Sequence, residues 1–431
     1  MGLSTGGDTR RGATLLPTRQ IRGRGRPVPF PATLDRTMRD DYEFVILGAG
    51  CSGLSLCYHL LESGVDAPIL ILDRKTSFED DRTWCFWDVE YTPFTHLARK
   101  EWSSWSFASE TGSVTQTTKH YPYKYLAGRD FYGHVLDRLA GSPNVTVRLG
   151  EEVDGYAEES NGVRIGTSAG RVLAGCVFDG RSLSPGSIAF EEARRRSVWV
   201  PQEFLGRHIR AGRDVFDPGR CTLMDFSVDQ SRGLRFAYAL PTGEREALVE
   251  NVYLSEAGLS SQAHRGEIGT YLEDAYGLTP GEYEVVGEER GYIPMTDYRF
   301  PRRLGERVHS IGMLGGETRP STGYTFLRIQ RYCRELAGAI AAGSEPPARV
   351  HPRHLDLLDG IFLRFMRERP GECPEVYRKM FAGVPPDALV RFLTERSTPL
   401  DEARLIRALP KKPFLVLAAG ALLECVTGGR T

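Results

Sequence analysis

The alternation of apolar and polar residues is clearest near the start of the chain. Residues 44–47 form a short apolar run, and a second run, within "APILILDR", ends at Asp73. Between them lie apolar residues at helical spacing: Leu54, Leu56, Cys57, Leu60 and Leu61. A short apolar run, a helical period and a second apolar run predict a strand, a helix and a strand in that order.

Glycines occupy the turn between the first predicted strand and the helix. Gly48, Gly50 and Gly53 form a G-x-G-x-x-G motif, and Asp73 closes the second strand. Such glycines let backbone amides approach a pyrophosphate at a helix N-terminus, and the following acid accepts from a ribose hydroxyl. The order of these features predicts dinucleotide binding, in preference to a purely structural βαβ unit.

Two later segments favour FAD over NAD. The stretch "VFDGR" ends a predicted strand in Asp179 and Gly180, and residues from 308 onward give a strand, a glycine-rich loop and a helix. That loop contributes Gly315, Gly316 and Gly323. Amides and a helix N-terminus suit the pyrimidine edge of a flavin, which is anionic when reduced. The alternative is an ordinary surface turn before a helix.

The remaining pattern gives the organisation of the chain. We predict an α/β protein with a Rossmann-like FAD-binding domain of the glutathione-reductase type, a strand-rich substrate lobe and C-terminal helices. The FAD-binding domain is discontinuous, formed by residues 42–196 and 286–342. The substrate lobe covers 197–285, and the helical region covers 343–431.

Composition narrows the function. The formal net charge of −1 argues against a nucleic-acid partner, because such partners usually require a basic surface. Eight scattered cysteines indicate reduced thiols in a cytoplasmic protein. No metal site is predicted, since His351 and His354 lie beside prolines. Residues 1–40, with eight arginines against three aspartates, are predicted to form a disordered basic leader.

A short apolar segment near the C-terminus raises the question of a membrane. The run from Pro413 to Leu423 has eleven residues and follows Lys411 and Lys412. Crossing a bilayer takes about twenty apolar residues. The segment fits an interfacial helix at a membrane surface, and a buried core helix is the alternative.

Two isolated acids are candidates for catalysis. Glu250 lies in the strand-like stretch "REALVENVYLS", and Asp225 lies between apolar residues in "CTLMDFSVD". Carboxylates are uncommon in such apolar surroundings. Glu250 could instead pair with an arginine at a sheet edge. Asp225 could orient Glu250, act as the acid itself, or hydrogen-bond a turn.

Several segments together resemble the flavin-dependent lycopene cyclases, in particular the bacterial lycopene beta-cyclases. The resemblance runs from about residue 42 to 415. It is carried by "DDRTWCFW", "YPYKYLAGRDFY", "LMDFSVDQ", "ALVENVYLS", "GYIPM" and "RPSTGYTFLRIQ". The family implies a peripheral membrane enzyme that closes beta-ionone rings on lycopene to give gamma- and beta-carotene. It uses reduced FAD without net redox change, and NAD(P)H is the implied electron source.

The resemblance also assigns residues. Glu250 matches the first position of the acidic motif that carries the family's essential glutamate, although Asn251 and Val252 depart from the residues that usually follow. Such a site needs one protonated acid, aromatic faces for a carbocation, and no water. Aromatic residues that could line a polyene channel, or form the core between lobes, are Trp84, Phe86, Trp87 and Tyr253.

Two other functions stay open. A flavin-dependent hydroxylase or reductase acting on an isoprenoid lipid would share the glycine turn and the Asp179-Gly180 pair. A flavoprotein that binds a carotenoid or a partner without turnover would share them as well.

Overall fold

The computed structural model describes residues 41–256 and 258–426, with only the backbone for 420–426. The predicted leader, 1–40, lies outside the described residues. The strands are β1 Asp41–Leu47, β2 Ile69–Asp73, β3 Thr83–Trp87, β4 Lys100–Trp102, β5 Ser104–Ser109, β6 Gly112–Thr117, β7 Tyr123–Ala127, β8 Val145–Leu149, β9 Val153–Glu159, β10 Gly162–Thr167, β11 Gly170–Asp179, β12 Trp199–Ala211, β13 Arg220–Asp225, β14 Arg235–Pro241, β15 Glu246–Leu254, β16 Tyr283–Thr296 and β17 Val308–Ser310.

Helices separate and cover these strands. They are α1 Cys51–Glu62, α2 Gly128–Ala140, α3 Ile188–Arg196, α4 Ser261–Tyr276, α5 Phe326–Ala341, α6 Arg353–Glu368, α7 Cys373–Gly383, α8 Pro386–Leu393, α9 Pro399–Ala408 and α10 Lys411–Val426. The predicted strand, helix and strand at the start of the chain are present as β1, α1 and β2. The predicted C-terminal helices are present as α6, α7 and α8, and α9 adds a helix that the sequence pattern did not indicate.

The first sheet holds β8, β2, β1, β11, β10 and β9 in that order, with β17 beside β11. The strands β8, β2, β1, β11 and β17 are parallel. Helices α1 and α5 pack on this sheet through apolar side chains. A parallel sheet with helices on its face places its carboxyl ends along one edge, where doubly wound folds bind ligands.

The second sheet has the order β16, β12, β15, β14, β13, β5 and β6. One face packs on the C-terminal helices, with Phe107 stacked on Phe381 at 5.3 Å and Phe226 stacked on Tyr377 at 5.7 Å between ring centroids. The other face packs on α4, through a separate apolar cluster. A small third sheet joins β3, β7 and β4.

The strands of the second sheet extend beyond the predicted substrate lobe, 197–285. Strands β5 and β6 come from the stretch assigned to the FAD-binding domain, and β16 runs across the boundary at residue 286. Alternation of side chains identifies a strand but carries no information about which strand it pairs with. Across 41–256 and 258–426, no helix combines the length and the apolar character needed to cross a membrane.

Candidate active site

The carboxyl edge of the first sheet brings together the residues of the predicted dinucleotide site. The Gly48 amide donates to the Leu72 carbonyl at 2.7 Å, and the Gly180 amide donates to the Leu47 carbonyl at 2.8 Å. The Ala49 amide donates to Oδ2 of Asp73 at 2.6 Å. Three segments that are distant in sequence therefore end within hydrogen-bonding distance of one another at this edge.

The glycine turn has the geometry that an anion requires. Gly48 has φ +101°, a conformation that favours glycine, and a Cβ on Gly53 would lie 1.9 Å from the Gly48 carbonyl oxygen. A Cβ on Gly50 would meet no atom within 4 Å, so the space in front of α1 is open. The N-terminus of α1 has no side-chain cap and no acid in its first turn. Its free amides suit a pyrophosphate.

The second predicted glycine loop begins at the same edge. The Ile311 amide donates to the Asp179 carbonyl at 2.9 Å, and Gly312 and Gly180 both lie against the Ser52 side chain of α1. Asp179 is buried and accepts two hydrogen bonds from the Arg181 guanidinium. The segments that the sequence assigned to a flavin are thus adjacent around the start of α1.

That loop then crosses to the second sheet. Gly315 and Gly316 lie near its start, and a Cβ on Gly315 would approach the Ser310 carbonyl oxygen to 2.8 Å. Gly323 has φ +72° and lies against the second sheet, where its Cβ would be 3.2 Å from Oε1 of Gln202. The next residue, Tyr324, lies beside Trp87 and Tyr123. The loop therefore runs from the cofactor edge to the aromatic face of the second sheet, on which Glu250 lies.

Glu250 lies on the face of the second sheet that packs on the aromatic cluster. Its strand β15 is buried almost throughout, with Leu248 and Val252 pointing to the same side as Glu250. The carboxyl side chain is 8% exposed. A carboxyl group in such surroundings loses hydration, which disfavours its ionised form.

A second buried carboxyl group, Glu289, lies beside Glu250. The register pairs Glu250 of β15 with Gly206 of β12, and Gly206 with Glu289 of β16. A Cβ on Gly206 would lie 3.0 Å from Cγ of Glu250 and 3.2 Å from Cγ of Glu289. Glu289 is 6% exposed, and its carboxyl group lies within hydrogen-bonding distance of that of Glu250. The absent side chain of Gly206 leaves the space in which the two meet.

The two carboxyl groups differ in their other neighbours. Burial raises the pKa of Glu250 well above the usual range, and Glu289 raises it further. Burial also raises the pKa of Glu289, but His208 opposes that rise, as do Thr83 and Arg82. Glu250 is therefore the group that holds the proton, and Glu289 is the better placed to carry the charge.

Aromatic side chains surround the pair. Tyr238 lies directly across from Glu250 on β14, and its hydroxyl is 2.8 Å from that of Tyr123. The Trp87 ring centroid lies 4.5 Å from those of both Tyr123 and Trp105. Tyr324 lies beside Trp87 and Tyr123. These rings present π faces and edges on the side of the sheet where Glu250 points.

The other predicted channel residues on β3 point the opposite way. Trp84 contacts Phe131 at 5.0 Å between centroids, and Phe86 stacks on Phe326 at 4.7 Å. Phe326 is the first residue of α5. Successive side chains of a strand alternate between its two sides. Trp87 thus faces the acid pair, whereas Trp84 and Phe86 face the domain of the first sheet.

Asp225 and Tyr253 lie on the α4 face of the second sheet, away from Glu250. The Tyr271 hydroxyl donates to Oδ2 of Asp225 at 3.2 Å, and the Ser227 amide donates to Oδ1 at 3.0 Å. The Tyr253 hydroxyl donates to Glu267 at 3.0 Å. The structure therefore does not bring either residue to Glu250, and of the readings open for Asp225 these contacts favour the turn.

The sequence reasoning missed Glu289 and Gly206. Glu289 lies in "VGEERGYIPM", where three consecutive charged residues resemble a solvated segment. In the strand, Glu288 points towards α4 and binds Arg265 at 2.6 Å, whereas Glu289 points inward. A period of two applied to this stretch, with Ile293 and Met295 as the buried phase, would have placed Glu289 on the same face.

Solved structures share this architecture. The reductase-like protein from Thermoplasma acidophilum, described as geranylgeranyl bacteriochlorophyll reductase-like, has a TM-score of 0.56 at 14% identity, covering 86% of this chain and 96% of that one. The p-nitrophenol 4-monooxygenase of Pseudomonas putida has a TM-score of 0.52 at 16% identity, covering 90% and 98%. A flavin-dependent brominase has a TM-score of 0.52 at 12% identity, covering 90% and 100%. These likenesses confirm the predicted Rossmann-like flavoprotein fold.

Sequence relatives are more specific. The lycopene beta-cyclase of Pantoea ananas is 25% identical over 400 residues, covering 88% of this chain and 97% of the relative. That of a Paracoccus species is 24% identical over 412 residues, covering 89% and 97%. The family model described as "Lycopene cyclase protein" matches residues 43–419. The chain therefore belongs to the lycopene cyclase family.

Proposed function

We propose that this protein is a lycopene beta-cyclase that closes beta-ionone rings at the ends of lycopene. The observation that carries the proposal is Glu250, a buried acid on an aromatic face of the second sheet, in a chain of this family. The substrate and product are isomeric hydrocarbons, so the site has to move protons and stabilise a cation.

Glu250 acts as the general acid. Its burial keeps the carboxyl group protonated, and in that form it can deliver a proton to a terminal double bond. The rings of Trp87, Tyr123 and Tyr238 stabilise the tertiary carbocation, because aromatic faces attract a desolvated cation. The apolar walls of the cluster exclude water, which would otherwise capture the cation.

FAD in its reduced form is the proposed cofactor, with NAD(P)H as the electron source. The open amides of α1 and the glycine turn fit its pyrophosphate, and the loop after β17 lies at the same edge. When bound, reduced FAD would supply a negative charge that stabilises a nearby cation. The residues proposed to hold it are Gly48, Gly50, Gly53, Asp73, Asp179, Gly180, Gly315, Gly316 and Gly323.

We also propose a membrane surface as the place where the substrate is collected, and a cytoplasmic, peripheral location. Helix α10 packs on α6 through Phe414, which stacks on Phe365 at 4.7 Å, while Leu415 and Val416 are 67% and 69% exposed. Lys411 precedes them. Exposed apolar side chains beside a cation suit the interface of an anionic bilayer.

The test of the function is expression in a bacterial host that accumulates lycopene, with pigments analysed by chromatography and mass detection. We expect products isomeric with lycopene that carry beta rings. A changed mass would instead indicate the flavin-dependent redox enzyme on an isoprenoid lipid. Unchanged lycopene with FAD bound would contradict the cyclase assignment.

The role of Glu250 has a matched control on the same strand. Glu250→Gln should reduce cyclisation by about 100-fold or more, because a general acid contributes that much, and should leave FAD content unchanged. Glu246 lies on the same strand, is exposed and pairs with Arg210 at 3.0 Å. Glu246→Gln should keep wild-type activity. A fully active Glu250→Gln variant would disprove the assignment.

The membrane proposal is tested by co-sedimentation with vesicles containing anionic phospholipid. We expect wild-type protein to pellet with the vesicles, and the Leu415→Ser/Val416→Ser variant to remain in the supernatant. Val286→Ser, which alters an exposed apolar residue on β16, is the control. Equal sedimentation of all three proteins would contradict the role of α10.

A further inference from the structure

Glu289 is a buried carboxyl group that has no role in the steps proposed above for Glu250 and the aromatic rings. It faces Glu250 across Gly206, in a row over three neighbouring strands. In the part of the chain that the structure describes, its Oε2 is a buried oxygen without a hydrogen-bond partner. The adjacent Glu288 and the nearby Glu203 are bound by arginines, as structural carboxylates usually are.

Cyclisation requires a base as well as an acid. Two carboxyl groups in contact share one proton, because both cannot ionise at close distance in a medium that excludes water. One group then carries a proton that it can donate, and the other carries a charge that can accept one. Glu289 lies where it can be the charged group that accepts a proton, beside Glu250 as the group that donates one.

We propose that Glu289 is a second catalytic residue, the carboxylate that removes the ring proton after Glu250 has delivered its own. This inference rests on the proposed cyclase function and extends it to a residue of β16. His208 and Arg82 lie near Glu289 and favour its charged form. Among the residues that the structure describes, no group lowers the pKa of Glu250, so its neutral form is favoured.

The proton balance is closed within the pair. The Glu250 O–H bond breaks as a C–H bond forms at the terminal double bond, and Glu250 becomes a carboxylate whose charge the new carbocation balances until the ring proton is removed. The π electrons of a second double bond form the ring C–C bond and leave a tertiary cation. A ring C–H bond then breaks, its electrons form the new double bond, and its proton goes to Glu289.

The contact over Gly206 restores the starting state. The proton on Glu289 passes to the carboxylate of Glu250 through the direct contact of the two groups, so that no proton is consumed and no oxidant or reductant is needed. A side chain at position 206 would separate the groups, since its Cβ would lie within 3.2 Å of both Cγ atoms. Gly206 is therefore needed for the proton transfer between Glu289 and Glu250.

The experiment compares Glu289→Gln with Glu288→Gln in the purified, FAD-loaded protein. Turnover of Glu289→Gln should fall by about 100-fold or more, whereas Glu288→Gln should stay close to wild type because its side chain points towards α4. If the wild type cyclises lycopene and Glu289→Gln is fully active, the inference about Glu289 is overturned and the proposed function stands. Wild type without any cyclised product would overturn the proposed function.

The pH profile distinguishes a catalytic role from a structural one. Wild type should give a bell-shaped profile, with the acidic limb set by Glu289 and the alkaline limb by Glu250. The residual activity of Glu289→Gln should lack the acidic limb and keep the alkaline one. An acidic limb that survives in Glu289→Gln would overturn the inference. Other titratable or charged groups that interact with the pair are Arg82, Cys85, Tyr125, His208 and Tyr238.

A second variant tests the contact without removing either acid. Gly206→Ala keeps both carboxyl groups but places a methyl group between them, so turnover should fall while thermal stability and FAD content show whether the fold is retained. If Glu289→Gln does not fold, Gly206→Ala tests whether the contact between Glu289 and Glu250 is needed for turnover. A folded Gly206→Ala protein with wild-type turnover would overturn the proton return across position 206.

Discussion

A carboxyl group lies against each face of the second sheet, half-buried on the α4 face and buried on the other, and its surroundings differ between the two faces. On the α4 face, Glu267 binds Arg235 at 2.6 Å and accepts hydrogen bonds from Asn251 at 2.7 Å and Tyr253 at 3.0 Å. On the other face, Glu250 has a second carboxyl group, Glu289, as its hydrogen-bonding neighbour. Asn251 and Glu250 are consecutive residues that point to opposite sides.

The difference shows that a carboxyl group packed against the sheet is not by that fact a catalytic acid. The Glu267 side chain is 18% exposed, and an arginine with hydrogen-bond donors compensates its charge, whereas the buried pair can lower its charge only by holding a proton. The α4 face therefore uses its carboxylate to hold elements together. The aromatic face keeps a group that can give a proton away.

The largest effect on stability is expected from removing the cation on the α4 face. Arg235 is 5% exposed, and Arg235→Met leaves Glu267 without its main partner, which should lower the free energy of unfolding by about 3 kcal/mol. Urea denaturation followed by circular dichroism measures the change. Glu250→Gln is the comparison and should cause no such loss. Equal losses in the two variants would remove the proposed distinction between the faces.

A smaller effect is expected from the pH dependence of stability. A carboxyl group whose pKa is raised on folding binds more protons in the folded state, so stability falls as the pH rises above the unfolded value of about 4.3. Wild type should therefore lose stability relative to Glu250→Gln/Glu289→Gln between that pH and the raised pKa values. Denaturation curves at several pH values test this. A constant difference across the range would mean that the pair does not share a proton.

Asp225→Asn should have a modest effect on activity. The Asp225 carboxylate faces α4, so the loss of cyclisation should stay within about tenfold, below the factor that a general acid contributes. Pigment analysis in the lycopene-accumulating host provides the measurement. A loss as large as that of Glu250→Gln would restore the sequence-based prediction that Asp225 acts in catalysis.

The smallest effect is expected from Tyr253→Phe. This change removes one hydrogen bond to Glu267 and should cost about 1 kcal/mol of unfolding free energy, while cyclisation stays at the wild-type rate. Thermal denaturation and the same pigment analysis measure the two quantities. A loss of activity without a loss of stability would instead support Tyr253 as part of the substrate channel.

The cofactor edge could be predicted because its signals are local. Gly48 and Asp73 belong to one βαβ unit, so the glycine turn and the acid that closes the second strand lie in one continuous stretch of sequence, residues 44–73. The identity of Glu250 came from an acid in an apolar strand together with the family resemblance. Both kinds of evidence come from the order of residues in the sequence. The flavoprotein fold that the glycine motif and the family resemblance predicted is confirmed by the fold comparisons.

The acid pair could not be predicted in the same way because it depends on pairing across strands. Glu250 and Glu289 meet only because β12 lies between their strands in one register, and Gly206 matters only at that register. The same limit explains the aromatic residues. Alternation predicts that Trp87 and Phe86 point apart, but it does not say which of them faces the acid.

The spacing of neighbouring strands fixes the distance between the backbones that carry Glu250 and Glu289. The backbones of β15 and β16 are two strand spacings apart, about 9–10 Å, and each glutamate side chain covers part of that gap above Gly206. The ladder of backbone hydrogen bonds sets this distance, so it does not depend on a mobile loop. An aspartate at either position is shorter by one methylene, so its carboxyl group would not reach the other one across this fixed strand spacing.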